Sequence, residues 1–379
     1  MKVLSLFANI GVAEAYLEDI GFEVILANEI DKRRAALYQK IYPNSNMICG
    51  DIQDENVFNK IVKLSIESNI DVILATPPCQ GMSTAGQQKL DDERNNLIIY
   101  TLNAVKKIKP KYVLIENVPQ FLKTSISFNG EDTLIVDAIK NQLSKYYEIN
   151  FNVVDSKNYN VAQTRERAIV LLSRKDQTKK WKIPEISKNI LTLENTIGHL
   201  PPIDPFIKDI SEVELLKKFP NFHKRKQKAL KISKWHNPPH HVLRQVNVME
   251  YTPTGKSAFE NDNIAHRPTK KNGELVKGFK NTYKRQNWDT PAYTITMDNV
   301  KISSQNNVHP GRKLGNDKNG NTIYSDPRTL TLYEIMKIMS IPDNWAIPQN
   351  TSEAFLRRVI GEGIPPMMIR FLFNELRNE

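Results

Sequence analysis

Residues 2–29 read KVLSLFANIGVAEAYLEDIGFEVILANE, and the reading of this stretch decides the fold. An apolar, β-branched run at 3–7 ends in Phe7-Ala8-Asn9-Ile10-Gly11, a segment of helical period follows at 13–20, and a second apolar run at 24–28 ends in Glu29. Strand, glycine turn, helix and strand in that order make one βαβ unit. The alternation continues, with strand patterns at 46–49, 72–76, 112–116, 148–154 and 168–173 and helical patterns at 32–41, 57–68, 97–107 and 132–144. Short β-branched runs between longer helical segments indicate a mostly parallel sheet covered by helices. Residues 1–180 are therefore expected to form a doubly wound α/β domain.

In such a sheet the carboxyl ends of the strands face one crevice, where ligands bind. Gly11 lets the backbone approach a nucleotide-like ligand. Glu29 follows Phe7 by 22 residues, about where a ribose-binding acid belongs. The third strand then ends in Gly50-Asp51-Ile52, a further carboxylate on the same edge. Ordinary βα turns are the plain alternative, but three successive strand ends with polar groups are hard to explain as packing.

The fourth strand runs into Pro77-Pro78-Cys79-Gln80-Gly81-Met82-Ser83. The two prolines stiffen the turn beside the thiol, and the polar run 81–96 has the character of a movable lid. By itself Cys79 reads either as a nucleophile or as an inert core residue. The fifth strand ends in Glu116-Asn117-Val118, a carboxylate suited to a structural hydrogen bond or to holding a base by its Watson–Crick edge. Before the last strand, Gln163-Thr164-Arg165-Glu166-Arg167 alternates two arginines with a glutamate, and either arginine suits a phosphate or a base carbonyl.

The chain has 379 residues, 40% of them hydrophobic, and a formal charge of +11. That is enough to bury a large core. Residues 181–324 hold 24 Lys and Arg against 13 Asp and Glu, leaving 29 of each sign elsewhere, so the whole net charge lies in this segment. A neutral body with one basic segment suits docking to a polyanion, because each cation that meets a phosphate releases counterions. A solvated lysine-rich surface is the alternative. From Trp181 the alternation gives way to prolines, asparagines and lysines, which predict short strands and loops. Helical period returns at 332–339, 353–360 and 367–376. The division expected is a catalytic and cofactor-binding part at 1–180, a mainly β recognition part at 181–324, and a segment at 325–379 returning to the catalytic part.

Cys49 and Cys79 are the only cysteines, too few for a zinc site or a disulfide framework, and Cys49 reads as a small core residue of the third strand. No metal is expected. Neither a secretory leader pattern nor an apolar run of eighteen residues occurs, which predicts a cytoplasmic protein.

Taken together, the motifs resemble those of the DNA cytosine-5 methyltransferases in family order: FANIG, NEID, GDI, PPCQG, ERNNL, ENV, QTRER, then SDPRTLTLYEIMKIMSIPDNW and GEGIPP. The resemblance covers nearly the whole chain except about 181–285, where that family places its variable target recognition domain; WDTPAYTIT and HPGR beyond it also look familiar. It implies a Rossmann-like fold and methyl transfer from S-adenosylmethionine, leaving S-adenosylhomocysteine, to carbon 5 of a cytosine flipped out of double-stranded DNA. Phe7, Asn9, Gly11, Glu29, Ile30, Asp51, Ile52, Pro78, Leu97 and Glu362 match cofactor-site positions. Cys79, Glu116, Arg165 and Arg167 match the catalytic group: Cys79 adds to carbon 6, Glu116 meets N3, and Arg165 holds the exocyclic oxygen. Gln80, Ser83, Lys224, Arg225, Lys226 and Lys228 are the expected DNA contacts. The resemblance further implies a monomer of the bacterial modification type, associated with the nucleoid and partnered by a restriction endonuclease.

Three positions depart from the family pattern. Asn9 and Val12 stand where glycine is usual, and Glu362 stands where the last motif normally has asparagine. The rival readings are the tRNA-methylating relatives, which lack so long and basic a segment; a catalytically silent DNA-binding module, which would be expected to lose Cys79 or Glu116; and a nicotinamide oxidoreductase, which would not explain Pro78-Cys79-Gln80.

Overall fold

The computed structural model describes residues 1–78, 97–128 and 130–377. Cys79, Gln80 and Ser83, and the lid expected at 81–96, lie outside the described residues. A seven-stranded sheet organises the chain, built from β1 (Lys2–Leu6), β2 (Glu23–Glu29), β3 (Asn46–Cys49), β4 (Val72–Ala75), β5 (Tyr112–Asn117), β8 (Tyr147–Asp155) and β9 (Glu166–Arg174) in the order β3-β2-β1-β4-β5-β9-β8. A hairpin of β6 (Ser125–Phe128) and β7 (Glu131–Leu134) lies beside it. The first five strands run parallel, whereas β9 is antiparallel to both β5 and β8. The expected doubly wound, mostly parallel sheet is present.

Alternate residues along the strands feed two cores, as the two-residue period of a strand requires. Leu4, Ile73, Val113 and Val170 point to one face, covered by α2 (Glu55–Glu67), α3 (Leu97–Ile108) and α4 (Ile135–Leu143); α1 (Lys32–Ile41) lies between β2 and β3. Val3, Val72, Tyr112 and Ile169 point to the other, which is closed by residues 13–22 and by a helix from the end of the chain. Burying each large aliphatic side chain contributes roughly 1.5–3 kcal/mol, so this late segment is integral to the core of the sheet.

The helix expected at 13–20 is not regular. Gly11, Leu17 and Ile20 amides donate three residues back, to Ala8, Glu14 and Leu17, and only a 3₁₀ turn at Glu18–Ile20 forms. Phe7, Asn9 and Gly11 take left-handed φ values of 59°, 52° and 82°, and Glu14 turns inward so that the Ser5 hydroxyl donates to its carboxylate. The helical pattern reported an apolar face, Leu17, Ile20 and Phe22, that packs without α-helical hydrogen bonding. At the other end of the domain, the first residues of the helix expected at 132–144 belong to β7 instead.

Residues 181–324 are loop-rich, but their regular elements are helices more than strands: α5 (Leu193–Ile197), α6 (Glu212–Lys218), α7 (Phe222–Leu230) and α8 (Leu243–Glu250), against the short strands β10 (Phe206–Ile207), β11 (His240–His241), β12 (Lys313–Asn316) and β13 (Thr322–Tyr324). The expectation of a mainly β segment is thus corrected. Lysine-rich helices such as α7 show few apolar residues, and Phe222 and Ala229 alone supply its buried side. Two small apolar clusters lie within 206–308, whereas Trp288, Ala292 and Ile295 pack with Ile10, Val12 and the C-terminal helices. Those helices, α9 (Leu332–Ile338), α10 (Glu353–Glu362) and α11 (Pro366–Asn374), match the three helical patterns read from the sequence. Among the described residues no helix is long and apolar enough to cross a membrane.

Candidate active site

Strand order reverses between β1 and β4, and in a sheet of this kind the crevice at the carboxyl ends of those two strands is where a ligand binds. The two strand ends are tied together there. Thr76 donates from its amide to Leu6 at 3.2 Å and from its hydroxyl to the Phe7 carbonyl at 3.1 Å. One strand further, the Asn117 side chain donates to the Pro77 carbonyl at 3.1 Å and accepts from Val118 N at 2.8 Å. Asn117 therefore holds the stretch that leads into Cys79, a role that sequence reading missed although the residue stands inside the ENV motif.

On the β1–β2 side, the buried carboxylate of Glu29 accepts Asn9 N at 2.9 Å through one oxygen and Asp31 N at 2.9 Å through the other. Each oxygen keeps a lone pair. Asp51 is half-buried and accepts Gln53 N through Oδ1, while the Asn28 amide spans the carbonyls of Ile48 and Gly50 and fixes the turn that carries it. Ile30 is exposed beside Glu29 and Ile52 is buried beside Asp51. Gly11 cannot be replaced here, since a side chain would meet the Tyr42 ring at 2.1 Å and would strain a backbone at φ 82°. Pro78 is half-buried, and Leu97 opens α3 as part of the core.

Glu362 does not face the crevice as a free acceptor: its carboxylate pairs with Arg34 at 2.7 Å and with Arg358 at 3.3 Å. Cys49 is also corrected. It is exposed at the end of edge strand β3, with Sγ 4.0 Å from the Ile30 carbonyl, because its neighbour Ile48 takes the inward position.

On the β5–β9 side, Glu116 is buried and Arg167 Nε donates to its Oε1 at 2.8 Å. Burial pushes the Glu116 carboxyl above its ordinary range, and the positive charges of Arg167 and Arg165 hold back part of that rise. Arg165 is buried and donates from Nη1 to the Ile295 carbonyl at 2.8 Å and from Nη2 to the Gly361 carbonyl at 3.0 Å. Gln163 accepts Ile295 N at 2.9 Å, and Thr164 N donates to Ala292 at 2.8 Å. The two arginines of QTRER thus part company: Arg167 meets the acid, and Arg165 fastens β9 to the 292–295 stretch and to the last motif.

Behind the site, Arg328 is fully buried and donates to Asp326 at 3.0 Å and to Glu334 at 2.8 and 2.9 Å. Arg285 is equally buried and donates to the carbonyls of His309 and Met249. Two further bonds tie the basic segment to the C-terminal one, from Arg328 Nε to the Ile203 carbonyl at 2.9 Å and from Arg285 Nη1 to the Asp326 carbonyl at 3.1 Å, and nothing in the charge count announces them. Of the DNA candidates on α7, Lys224 and Lys228 are exposed and Lys226 half-buried. Arg225 instead pairs with the buried Asp204 at 2.6 Å.

A family model described as C-5 cytosine-specific DNA methylase matches residues 1–378. The Type II methyltransferase M1.HgaI of Avibacterium volantium is 42% identical over 381 residues, covering 99% of this chain and 98% of the relative. M.Eco47II of Escherichia coli, also a Type II methyltransferase, is 25% identical and covers 96% of this chain and 75% of its own length. Among solved structures, a chain assigned as a prophage-encoded DNA modification methyltransferase of E. coli shares the fold with a TM-score of 0.66 at 19% identity, over 99% of this chain and 98% of that one. Strand order and crevice define a Rossmann-like α/β fold. The chain belongs to the C-5 cytosine-specific DNA methylase family.

Proposed function

We propose that the protein methylates carbon 5 of a specific cytosine in double-stranded DNA with S-adenosylmethionine, by way of a flipped base and a covalent bond to Cys79, as the modification partner of a type II restriction endonuclease. The observation that carries this reading is the buried pair Glu116–Arg167, joined through Asn117 and Pro77 to the stretch entering Cys79. The family description supports DNA as substrate, and the Type II names of the relatives fit a modification enzyme.

The crevice residues fit the cofactor. Glu29 and Asp51 keep acceptor capacity for ribose hydroxyls and an adenine amino group, Ile30 offers an apolar face to a ring, and the Asn9 amide oxygen is a buried acceptor with no hydrogen-bond partner among the described residues. When bound, S-adenosylmethionine supplies an electrophilic methyl group on a sulfonium.

Carbon 5 of cytosine is a weak nucleophile, so Cys79 as thiolate adds to carbon 6, forming a carbon–sulfur bond and placing electron density on carbon 5. Glu116 protonates or hydrogen-bonds N3, and a carboxyl raised by burial suits that task at neutral pH. The resemblance gave the exocyclic oxygen to Arg165, but we assign it to Arg167, which pairs with Glu116, because Arg165 donates to the carbonyls of Ile295 and Gly361. Once carbon 5 carries the methyl group, a base takes its proton, the 5,6 double bond re-forms and the Cys79 thiolate leaves. Residues 181–324 read the DNA sequence, and the molecule acts as a monomer on the nucleoid.

Sequencing genomic DNA of a host expressing the chain, with chemistry that marks 5-methylcytosine, tests the proposal. A single sequence context methylated at one cytosine is expected. Unmodified DNA alongside methylated tRNA would overturn it.

A further inference from the structure

Glu29 sits at the centre of a closed ring of contacts that runs through the C-terminal helix α10. One carboxylate oxygen accepts Asn9 N at 2.9 Å, and the Asn9 side chain donates onward to the Val359 carbonyl of α10 at 3.1 Å. The other oxygen accepts Asp31 N at 2.9 Å; Asp31 caps α1 by accepting the amides of Arg33 and Arg34, and Arg34 pairs with Glu362 at the end of α10 at 2.7 Å. Two further contacts strengthen the ring. Arg33 lies over the Phe355 ring of α10 at 4.6 Å, and Val12 packs 3.1–3.3 Å from where a side chain on Gly363 would begin.

Both amides that hold Glu29 are therefore held in turn by α10. All three departures noted from the family pattern, Asn9, Val12 and Glu362, stand in this junction. An asparagine or glutamate at those places reads as damage to a cofactor site when taken singly, but together they connect the first motif to the last.

Resting on the cofactor reading of Glu29 above, we propose that Asn9, Arg34 and Glu362 are positioning residues that clamp Glu29 through α10 and thereby set the affinity for S-adenosylmethionine. Arg34 and Glu362 act without touching the ligand, whereas Asn9 turns its amide nitrogen to Val359 and its oxygen to the crevice. Asn9→Gly leaves the backbone at φ 52° unstrained but removes the amide oxygen together with the tie to Val359, so Glu362→Gln, which removes only the pairing with Arg34 and Arg358, isolates the clamp. The Arg34–Glu362 pair is only partly shielded, with side chains 22% and 21% exposed, so salt reaches it.

The experiment is calorimetric titration of S-adenosylmethionine into the full chain and its variants, with a thermal melt of each sample. Asn9→Gly and Glu362→Gln should each raise Kd about fivefold, the scale of a modest coupling between sites. Arg34→Glu and Glu362→Arg should each do so more strongly, and the double reversal should recover most of the loss. Raising salt from about 0.05 to about 0.5 M, which shortens screening to a few ångströms, should weaken binding to the natural chain more than to Glu362→Gln. This salt comparison also decides the matter should the reversed variants fail to fold. Unchanged Kd in Asn9→Gly and Glu362→Gln, no recovery in the double reversal, or equal salt dependence would overturn the clamp while leaving the proposed function standing. A natural chain that binds no S-adenosylmethionine would overturn both.

Discussion

Arg167 reaches across from β9 to Glu116 on the antiparallel strand β5, Nε to Oε1 at 2.8 Å, with both side chains nearly enclosed. Burial and the arginine pull the Glu116 carboxyl in opposite directions, and burial prevails. Glu116→Gln keeps the shape and removes the proton. It should lower the single-turnover methylation rate about 10²-fold, the usual scale for a general acid, with cofactor binding unchanged. Arg167→Ala should move the limb of the pH–rate profile set by Glu116 to higher pH, because the charge that opposed burial is gone. A limb that stayed put would separate Glu116 from the chemistry.

The second arginine should behave differently. Arg165 is buried against the carbonyls of Ile295 and Gly361, so Arg165→Ala leaves acceptors unsatisfied and should cost about 2–5 kcal/mol of stability, read from urea unfolding. Arg167→Ala should unfold within about 1 kcal/mol of the natural chain once Glu116 can take up a proton. Equal losses in both variants would contradict the division of roles.

Glu14 gives a stability prediction with a definite sign. It is buried, accepts from Ser5, and burial pushes it from 4.5 to about 7. The folded chain thus holds this proton more tightly than the unfolded chain. The stabilisation is complete below about pH 4.5 and is lost as pH rises through about 7. At one pH unit to 1.36 kcal/mol, the natural chain should lose up to about 3 kcal/mol relative to Glu14→Gln between about pH 5 and about pH 8. Parallel stability curves across that window would rule the shift out.

The four basic residues of α7 should separate as well. Lys224 and Lys228 are exposed, and alanine at each should reduce the slope of log K against log salt by about 0.9 for every phosphate left without its cation, as filter binding would show. Arg225→Ala strands the buried Asp204 and should act first on stability. If Arg225→Ala changed DNA affinity alone, α7 would face the DNA in another way.

Much of this architecture could be read from the sequence, because parallel strands buried on both faces write continuous apolar runs, and Glu29, Asp51 and Glu116 stand at strand ends where topology puts them on one edge. What could not be read depends on long-range partners. Asn9 meets Val359 across 350 residues, and Arg34 meets Glu362 from the far end of the chain; no local spacing encodes either. The 13–20 segment misled because its apolar face has helical period while Glu14 turns inward to Ser5. Helices α6 and α7 were hidden for the opposite reason: their lysines outnumber the few residues they bury.

The central claim is covalent catalysis by Cys79, and the most direct measurement uses DNA carrying 5-fluorocytosine at the target. Fluorine cannot leave carbon 5 as a proton does. With S-adenosylmethionine present, the chain should become fixed to this DNA in a denaturant-stable complex, and mass spectrometry should place the base on Cys79. Cys79→Ala should form no such complex yet still bind DNA, while Cys49→Ser, altering the exposed thiol beside Ile30, should leave it intact. An adduct on Cys49, or active enzyme that forms no adduct at all, would contradict the account.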